Sequence, residues 1–215
     1  MTVSGHPEHA LYWRKMNKTL HYMRHNMIRD AVSRVFSSIG SYTDSHCTGY
    51  AFIDGKTLDL AIFFANHSLA LDMRVASPTC DSHVLQAQRP LGAAKDAEQE
   101  KDSKYGDEVR AWGGNMEFSP FVIESYGAFG DCAQAVCKLA GINAEELHSG
   151  WTCGEAVASC IAAAAVALHR GNARAVRSCY QMASKSLSGA GPGRPRGAKD
   201  RAPRQAGSGL RYRLR

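Results

Sequence analysis

Two aspartates, Asp59 and Asp72, stand on the two arms of the most apolar hairpin-like stretch of the sequence, LDLAIFFANHSLALDMRVASP at residues 58–78. Side chains of a strand alternate between its two faces, and residues paired across a hairpin share a face. If the segment ANHS closes the hairpin symmetrically, both aspartates lie on one face at diagonal positions, about 7 Å apart. Two carboxylates at that separation repel each other, and a divalent cation relieves the repulsion.

This carboxylate pair suits the metal-assisted hydrolysis of a phosphodiester. The carboxylates would hold Mg²⁺ or Mn²⁺, which lowers the pKa of a bound water and neutralises charge on the phosphate, while a nearby lysine positions or activates the nucleophile. Alanines beside the aspartates, such as Ala61 and Ala70, leave room for a phosphate. The alternative is that both aspartates belong to the solvated face of an antiparallel sheet, because half-exposed sheets show the same alternation.

The opposite face of the hairpin is predicted to be its core side. That face would hold eight apolar residues: Leu58, Leu60, Ile62, Phe64, Leu69, Leu71, Met73 and Val75. The aspartates would then point away from the apolar surface, so that they cost the core nothing.

The elements around the hairpin show helix and strand patterns in turn. Apolar residues at three- and four-residue spacing predict an amphipathic helix over residues 17–39, which Gly40 ends. His21 and His25 of this helix have zinc-ligand spacing, but without a third ligand they are predicted to form a surface pair. Strands are predicted at 50–53, 58–64, 69–76 and 117–125, and helices at 92–112, 131–140 and 152–180. The order predicts an α/β fold in which helices flank a mixed β-sheet, with the charged helix at 92–112 largely facing solvent.

The positive charge is concentrated at the C-terminal end of the chain. The net charge is +6, and residues 188–215 carry eight basic side chains against one acidic one, so the remaining residues sum to −1. This tail is rich in Gly, Pro and Arg and is predicted to be disordered. Its arginines either hold nucleic acid through the phosphates or only make the protein more soluble. The predicted organisation is an N-terminal segment at 1–16, an α/β domain at 17–141, a helical extension at 142–187 and the tail.

Cysteine usage and apolar runs indicate the compartment. Seven cysteines are scattered without close pairs, which favours a reducing, intracellular environment. The first residues lack a signal-peptide pattern, and no run approaches the roughly 18 apolar residues that a membrane span needs. We therefore expect neither secretion nor membrane insertion. No motif for a small-molecule cofactor is evident, and the pattern sets no oligomeric state.

With these residues in view, the sequence resembles the restriction-like endonuclease domain that follows the reverse transcriptase in some non-LTR retrotransposons. This domain is a branch of the PD-(D/E)xK nuclease fold. The resemblance covers about residues 18–180 and rests on an ordered set of motifs: RHN and IRD at 24–30, DG at 54–55, Asp59, LALDMRVASP at 69–78, KDSKY at 101–105, FSPFVIESYGAFG at 118–130 and ALHRGNARAVR at 167–177.

The resemblance implies a mixed-sheet nuclease core and metal-dependent nicking of target DNA in the nucleus. Asp59 and Asp72 would be the metal ligands. The catalytic lysine would be Lys104 or, as the second choice, Lys101, because the retroelement branch takes this lysine from the helix after the second acid. Glu124 would be a third ligand or would only orient the next helix.

The sequence departs from the family pattern at Arg74. In the broad nuclease fold the lysine stands two residues after the second acid, where this chain has Arg74. An arginine can stabilise developing charge there but cannot serve as a base, because it does not lose its proton. Arg74 would contact nucleic acid, together with Arg194, Arg196 and Arg201 of the tail.

Three functions therefore stay open at the level of sequence. The first is an active endonuclease from a retrotransposon, with this chain a fragment of a longer polyprotein. The second is a catalytically inactive remnant that still binds nucleic acid. The third is a small interaction protein without nucleic-acid function, in which the acids are only surface residues.

Overall fold

The two arms of the hairpin form the centre of a four-stranded mixed sheet. The computed structural model describes residues 18–47, 57–80, 83–112 and 115–188. Within them the strands are β1 (Tyr42–Asp44), β2 (Leu60–Phe63), β3 (Ser68–Ala76) and β4 (Met116–Glu124), in the spatial order β1-β2-β3-β4. The first three strands pair antiparallel, and β4 runs parallel to β3. The predicted α/β class with a mixed sheet is therefore confirmed.

Four α-helices accompany the sheet in the described ranges: α1 (Lys18–Ser38), α2 (Gly92–Ala111), α3 (Asp131–Glu146) and α4 (Cys153–Ser188). A single 3₁₀ turn spans Gln86–Gln88. Because β3 and β4 are parallel, the chain must cross over between them, and α2 makes that crossover. Gly40 follows α1 with φ at 96°, a conformation that glycine adopts without strain, and so ends the helix as predicted.

One strand was missed and one lies out of view. Strand β1 is only three residues long, and its Tyr42 is exposed, so its sequence lacks the apolar alternation that would mark it. The strand predicted at 50–53 and the turn predicted at Asp54 and Gly55 lie outside the described residues.

The predicted register of the hairpin is wrong by two residues. Leu60 pairs with Leu71 and Phe63 with Ser68, so the turn comprises residues 64–67 instead of ANHS. Phe64 leaves the strand because its ring packs against Phe36 of α1, with the ring centroids 6.0 Å apart. A two-residue shift keeps the side chains of the paired residues on their faces. Asp59 lies outside these pairs, and its backbone N–H donates to the carbonyl oxygen of Leu71 at 3.0 Å.

The two faces of the sheet differ in the size of their side chains. We call one the large-residue face; it packs against α1, α3 and α4 and comprises Leu60, Ile62, Leu69, Leu71, Met73, Phe121 and Ile123. We call the other the small-residue face; it packs against α2 and comprises Ala61, Ala70, Asp72, Ala76 and Val122. Leu58, predicted on the apolar face, joins the α2 side, because the chain bends at Asp59.

The small-residue face is not solvated. Ala61, Ala70 and Ala76 are almost completely buried, and Asp72 is 6% exposed. Helix α2 covers them with small side chains of its own, among them Ala93 and Ala97. The expectation that this helix faces mainly solvent is therefore wrong for one of its sides.

The C-terminal helix contributes to the main core. Ala156, Cys160, Ala164 and Leu168 of α4 are buried together with residues of α1 and β3, and the boundary predicted between residues 141 and 142 falls inside α3. Among the described helices, α4 has one stretch, Cys153–Met182, that is apolar and long enough to cross a membrane by composition and length; core helices of soluble proteins pass the same test. The predicted tail lies outside the described residues.

Candidate functional site

Asp72 and Lys101 form a buried ion pair between the sheet and α2. Lys101 Nζ lies 2.5 Å from Asp72 Oδ2, and the two side chains are 17% and 8% exposed. The pair can form because small residues line the contact, with Ala94 and Ala97 of α2 fully buried over the strands. Small side chains let the helix lie close to the sheet, within reach of a lysine.

Asp59, at the bend directly before β2 in the chain, contacts two different elements. Its Oδ2 accepts a hydrogen bond of 2.7 Å from the backbone N–H of Met73, the residue after Asp72. Its Oδ1 lies 2.9 Å from Nε2 of His25 on α1. A carboxylate engaged at both oxygens keeps one orientation. The acids of the two hairpin arms thus lie side by side, as the sequence predicted, though by a different register.

Burial dominates the electrostatics of Asp72. Removal from water raises the pKa of this carboxyl, the positive charge of Lys101 opposes the rise, and the negative charge of Asp59 adds to it. The expectation that the acids cost the core nothing is therefore wrong for Asp72, since its charged form is destabilised by burial and depends on Lys101.

The structure brings Lys101 to the acids and leaves Lys104 outside. Lys104 is exposed, and its Nζ lies 4.8 Å from the centre of the Tyr105 ring. A hydrogen bond with Tyr105 raises the pKa of Lys104. Both lysines are on the helix after the second acid and, three residues apart, on neighbouring positions of one side of it. Lys101 is the one in contact with Asp72, whereas the charge of Asp72 only adds to the raised pKa of Lys104.

Glu124 lies away from the two aspartates. Glu124 of β4 pairs with Ala76 of β3, and Pro120 of β4 pairs with Asp72 of β3. Four residues of strand, about 13 Å, therefore separate Glu124 from the level of Asp72. Its Oε1 accepts a hydrogen bond of 3.3 Å from the N–H of Ala94 in the first turn of α2. Of the two roles considered for Glu124, the contact matches that of orienting a helix, although the helix is α2 rather than the following one.

Arg74 is paired on the surface of the same strand. Its Nη1 lies 2.5 Å from Glu100 Oε2, and this hydrogen bond lowers the pKa of Glu100. The pair lies one turn from Lys101 on the rim of the site. Arg194, Arg196 and Arg201 lie outside the described residues.

His25 is the site residue that sequence reasoning missed. It was predicted to form a surface pair with His21, yet its side chain is only 23% exposed and contacts Asp59. The motif RHN is the sequence signal that could have identified His25, because its arginine, Arg24, bonds α1 to α4. Arg24 is buried and donates to Asn172 Oδ1 of α4 at 2.8 Å, and burial lowers the pKa of Arg24 to about 10.

Helices α1 and α4 approach each other closely at this arginine. Asn172 donates in turn to the carbonyl oxygen of Ser125 after β4, at 2.8 Å. A Cβ atom at Gly171 would come 2.6 Å from Cγ of Arg24, so the helices need a glycine there. Three of the motifs that carry the resemblance thus meet in one hydrogen-bonded network, which orients His25.

The donor set fits a hard cation. In the described part of the chain no group of three or more His, Cys, Asp and Glu side chains is arranged to hold a metal ion. Mg²⁺ is commonly bound by one or two carboxylates together with waters and substrate phosphates, so two adjacent carboxylates meet its needs. Asp59 and Asp72 are therefore the residues that could hold it.

Comparisons with known proteins add no identity. No protein-family model matches the chain, and no curated protein matches its sequence. What can be said of function therefore rests on the α/β fold and on the acid, lysine and histidine side chains that it gathers.

Proposed function

We propose that this protein is a metal-dependent endonuclease that nicks target DNA, with a restriction-endonuclease-like core derived from a retrotransposon. The observation that carries the proposal is the buried ion pair of Asp72 and Lys101, with Asp59 beside it. Lys101 of α2 contacts Asp72 in the middle of β3, and Asp59, at the bend before β2, accepts a hydrogen bond from the N–H of Met73, the residue after Asp72. A surface acid without a role has no reason to be buried together with a lysine.

The architecture supports the same proposal. A mixed sheet with helices on both faces is the coarse form of the nuclease core that the resemblance implies. The resemblance also implies a lysine from the helix after the second acid, and α2 is that helix. Lys101 replaces Lys104 as our candidate for this role.

Each side chain has a distinct task in the proposed reaction. Asp59 and Asp72 would hold Mg²⁺ or Mn²⁺, which when bound supplies Lewis-acid chemistry at the phosphate. Lys101 offers an ammonium group that can orient the nucleophile and stabilise charge on the phosphate. His25 keeps the carboxylate of Asp59 in one orientation. Arg74, at the rim, would contact the DNA backbone once it leaves Glu100.

The test is nicking of supercoiled plasmid DNA in Mg²⁺. We expect the wild type to nick and Asp72→Asn to lose at least about a hundredfold in rate, since a ligand and its charge are removed. Asp107→Asn is the matched control, because it removes an almost fully exposed carboxylate on α2 and should nick as the wild type does. Equal nicking by wild type and Asp72→Asn would refute the proposal.

The same assay decides between the two lysines. Lys101→Gln should lose most of the nicking rate, whereas Lys104→Gln should keep most of it. The reverse result would return the catalytic role to Lys104 and remove it from the buried ion pair.

A second candidate function is a catalytically inactive remnant that still binds nucleic acid. The observation in its favour is that Lys101 already neutralises Asp72, so that this carboxylate needs no metal for balance. The remnant predicts binding of plasmid DNA that weakens with added salt, together with no nicking by any variant.

A further inference from the structure

The ammonium group of Lys101 contacts the carboxylate of Asp72 as a bound cation contacts its ligand. The Asp72 atom involved, Oδ2, is fully buried, and the ammonium group lies 2.5 Å from it. A second cation at this carboxylate would be repelled by the ammonium group, because two like charges a few Å apart in a poorly solvated site oppose each other.

The neighbouring carboxylate is engaged as well. Asp59 uses one oxygen for the backbone N–H of Met73 and the other for His25. The backbone contact leaves the strand pairing intact whatever binds nearby, but the lysine contact is made by a flexible side chain. Lys101 is therefore the positive charge that opposes a cation at Asp72.

Lys101 has a second contact besides Asp72. Its Nζ lies 5.3 Å from the centre of the Tyr105 ring, one turn further along α2, and Lys104 contacts the same ring. An ammonium group within about 6 Å of an aromatic ring is attracted to its face. A Lys101 that loosens from Asp72 would keep this contact and stay next to the site.

We propose that Lys101 competes with a divalent cation for Asp72, so that this lysine sets the metal affinity of the site. The inference rests on the proposed function, because it takes the two aspartates as metal ligands. It adds a role that nicking alone does not reveal: Lys101 limits how tightly the site holds its metal.

The experiment measures Mn²⁺ binding to the intact chain without DNA, by the loss of the electron paramagnetic resonance signal of free Mn²⁺. We expect Lys101→Gln to bind Mn²⁺ about tenfold more tightly than the wild type, since the competing cation is gone. Lys104→Gln removes the same charge from an exposed position on the same helix and should change the affinity less than about twofold.

Thermal unfolding shows whether Lys101→Gln still folds, so that an unfolded variant is not mistaken for one that fails to bind Mn²⁺. This variant leaves Asp72 buried without its ammonium partner, so its melting temperature should be low without Mn²⁺ and should rise with Mn²⁺ more than that of the wild type. The double variant Lys101→Gln, Asp72→Asn removes both charges. It should fold without Mn²⁺ and show no such rise.

The outcomes separate the two proposals. Equal Mn²⁺ affinity in wild type and Lys101→Gln, or a Lys101→Gln chain that stays unfolded in saturating Mn²⁺, overturns the competition. The proposed function survives that result if the wild type nicks DNA and Asp72→Asn does not. Absence of Mn²⁺ binding in both chains together with absence of nicking overturns both proposals.

Discussion

The two faces of the central sheet solve the same packing problem in different ways. The large-residue face buries leucine, isoleucine and phenylalanine against three helices. The small-residue face buries alanines against one helix, has Phe63 and Phe118 towards one end, and includes the ion pair of Asp72 and Lys101. The first face stabilises by buried apolar area, and the second does so less around the ion pair, where its side chains are small.

This difference sets how close a helix lies to each face of the sheet. Small side chains bring α2 close enough for Lys101 to reach a buried carboxylate, at the cost of apolar burial. Under the proposed function, the small-residue face is the part of the sheet that would carry the chemistry.

Truncation on the large-residue face should have the largest effect. Phe121 is fully buried and packs edge-on against Phe129, with 6.3 Å between the ring centroids. Phe121→Ala should lower the free energy of unfolding by about 4 kcal/mol, because it removes buried area and leaves a cavity. Urea denaturation measures the change. Tyr126→Ala, at a residue 49% exposed, is the control and should change stability by under about 0.5 kcal/mol.

Removing one partner of the ion pair should come next. Lys101→Met keeps the length of the side chain but leaves Asp72 buried with an uncompensated charge, so it should cost about 3 kcal/mol at neutral pH. The exposed Lys104→Met provides the comparison and should cost under about 0.5 kcal/mol. Similar losses for the two variants, measured by urea denaturation, would contradict the buried pair.

Enlarging a side chain should damage the small-residue face specifically. Ala97 is fully buried against Ala76 and Val122. Ala97→Leu should cost about 2 kcal/mol through overpacking. It should also reduce nicking, because it pushes α2 and Lys101 away from the strands. Ala111→Leu, at an exposed position of the same helix, should leave both quantities near those of the wild type.

The smallest effect should be a change in pH dependence at Glu98. This buried residue on α2 accepts a hydrogen bond from the N–H of Cys132 at 3.0 Å, and burial raises its pKa. A raised carboxyl pKa means that the stability Glu98 contributes is complete below the ordinary value of about 4.3 and is lost as the pH rises through the raised value. Glu98→Gln stays neutral and should lack that loss. The raised pKa of Glu98 is contradicted if the unfolding free energies of the wild type and of Glu98→Gln change in parallel from acidic to neutral pH.

The local pattern of the sequence predicted most of the elements. Apolar spacing placed α1, the two arms of the hairpin, α2 and β4 within a few residues of their observed bounds, because periodicity reports which side of an element is buried. Face-sorting also kept the paired residues of β2 and β3 on their observed faces, since a two-residue error in register does not change the face. Asp59 lies at the bend before β2, where this sorting does not apply. The bounds of α3 and α4 were short at their C-terminal ends, where polar residues hide the helical spacing.

What needed the tertiary structure was the identity of the partners across elements. The sequence by itself determined which residues of the paired strands share a face, because alternation along a strand is a property of the backbone. It could not determine that α2 buries the face of Asp72, that Lys101 rather than Lys104 contacts Asp72, or that His25 contacts Asp59 at the bend before β2. Each of these contacts depends on how one packed helix is rotated relative to the sheet and how far it lies from it. Contacts between residues far apart in sequence, such as Arg24 with Asn172, set that rotation and distance.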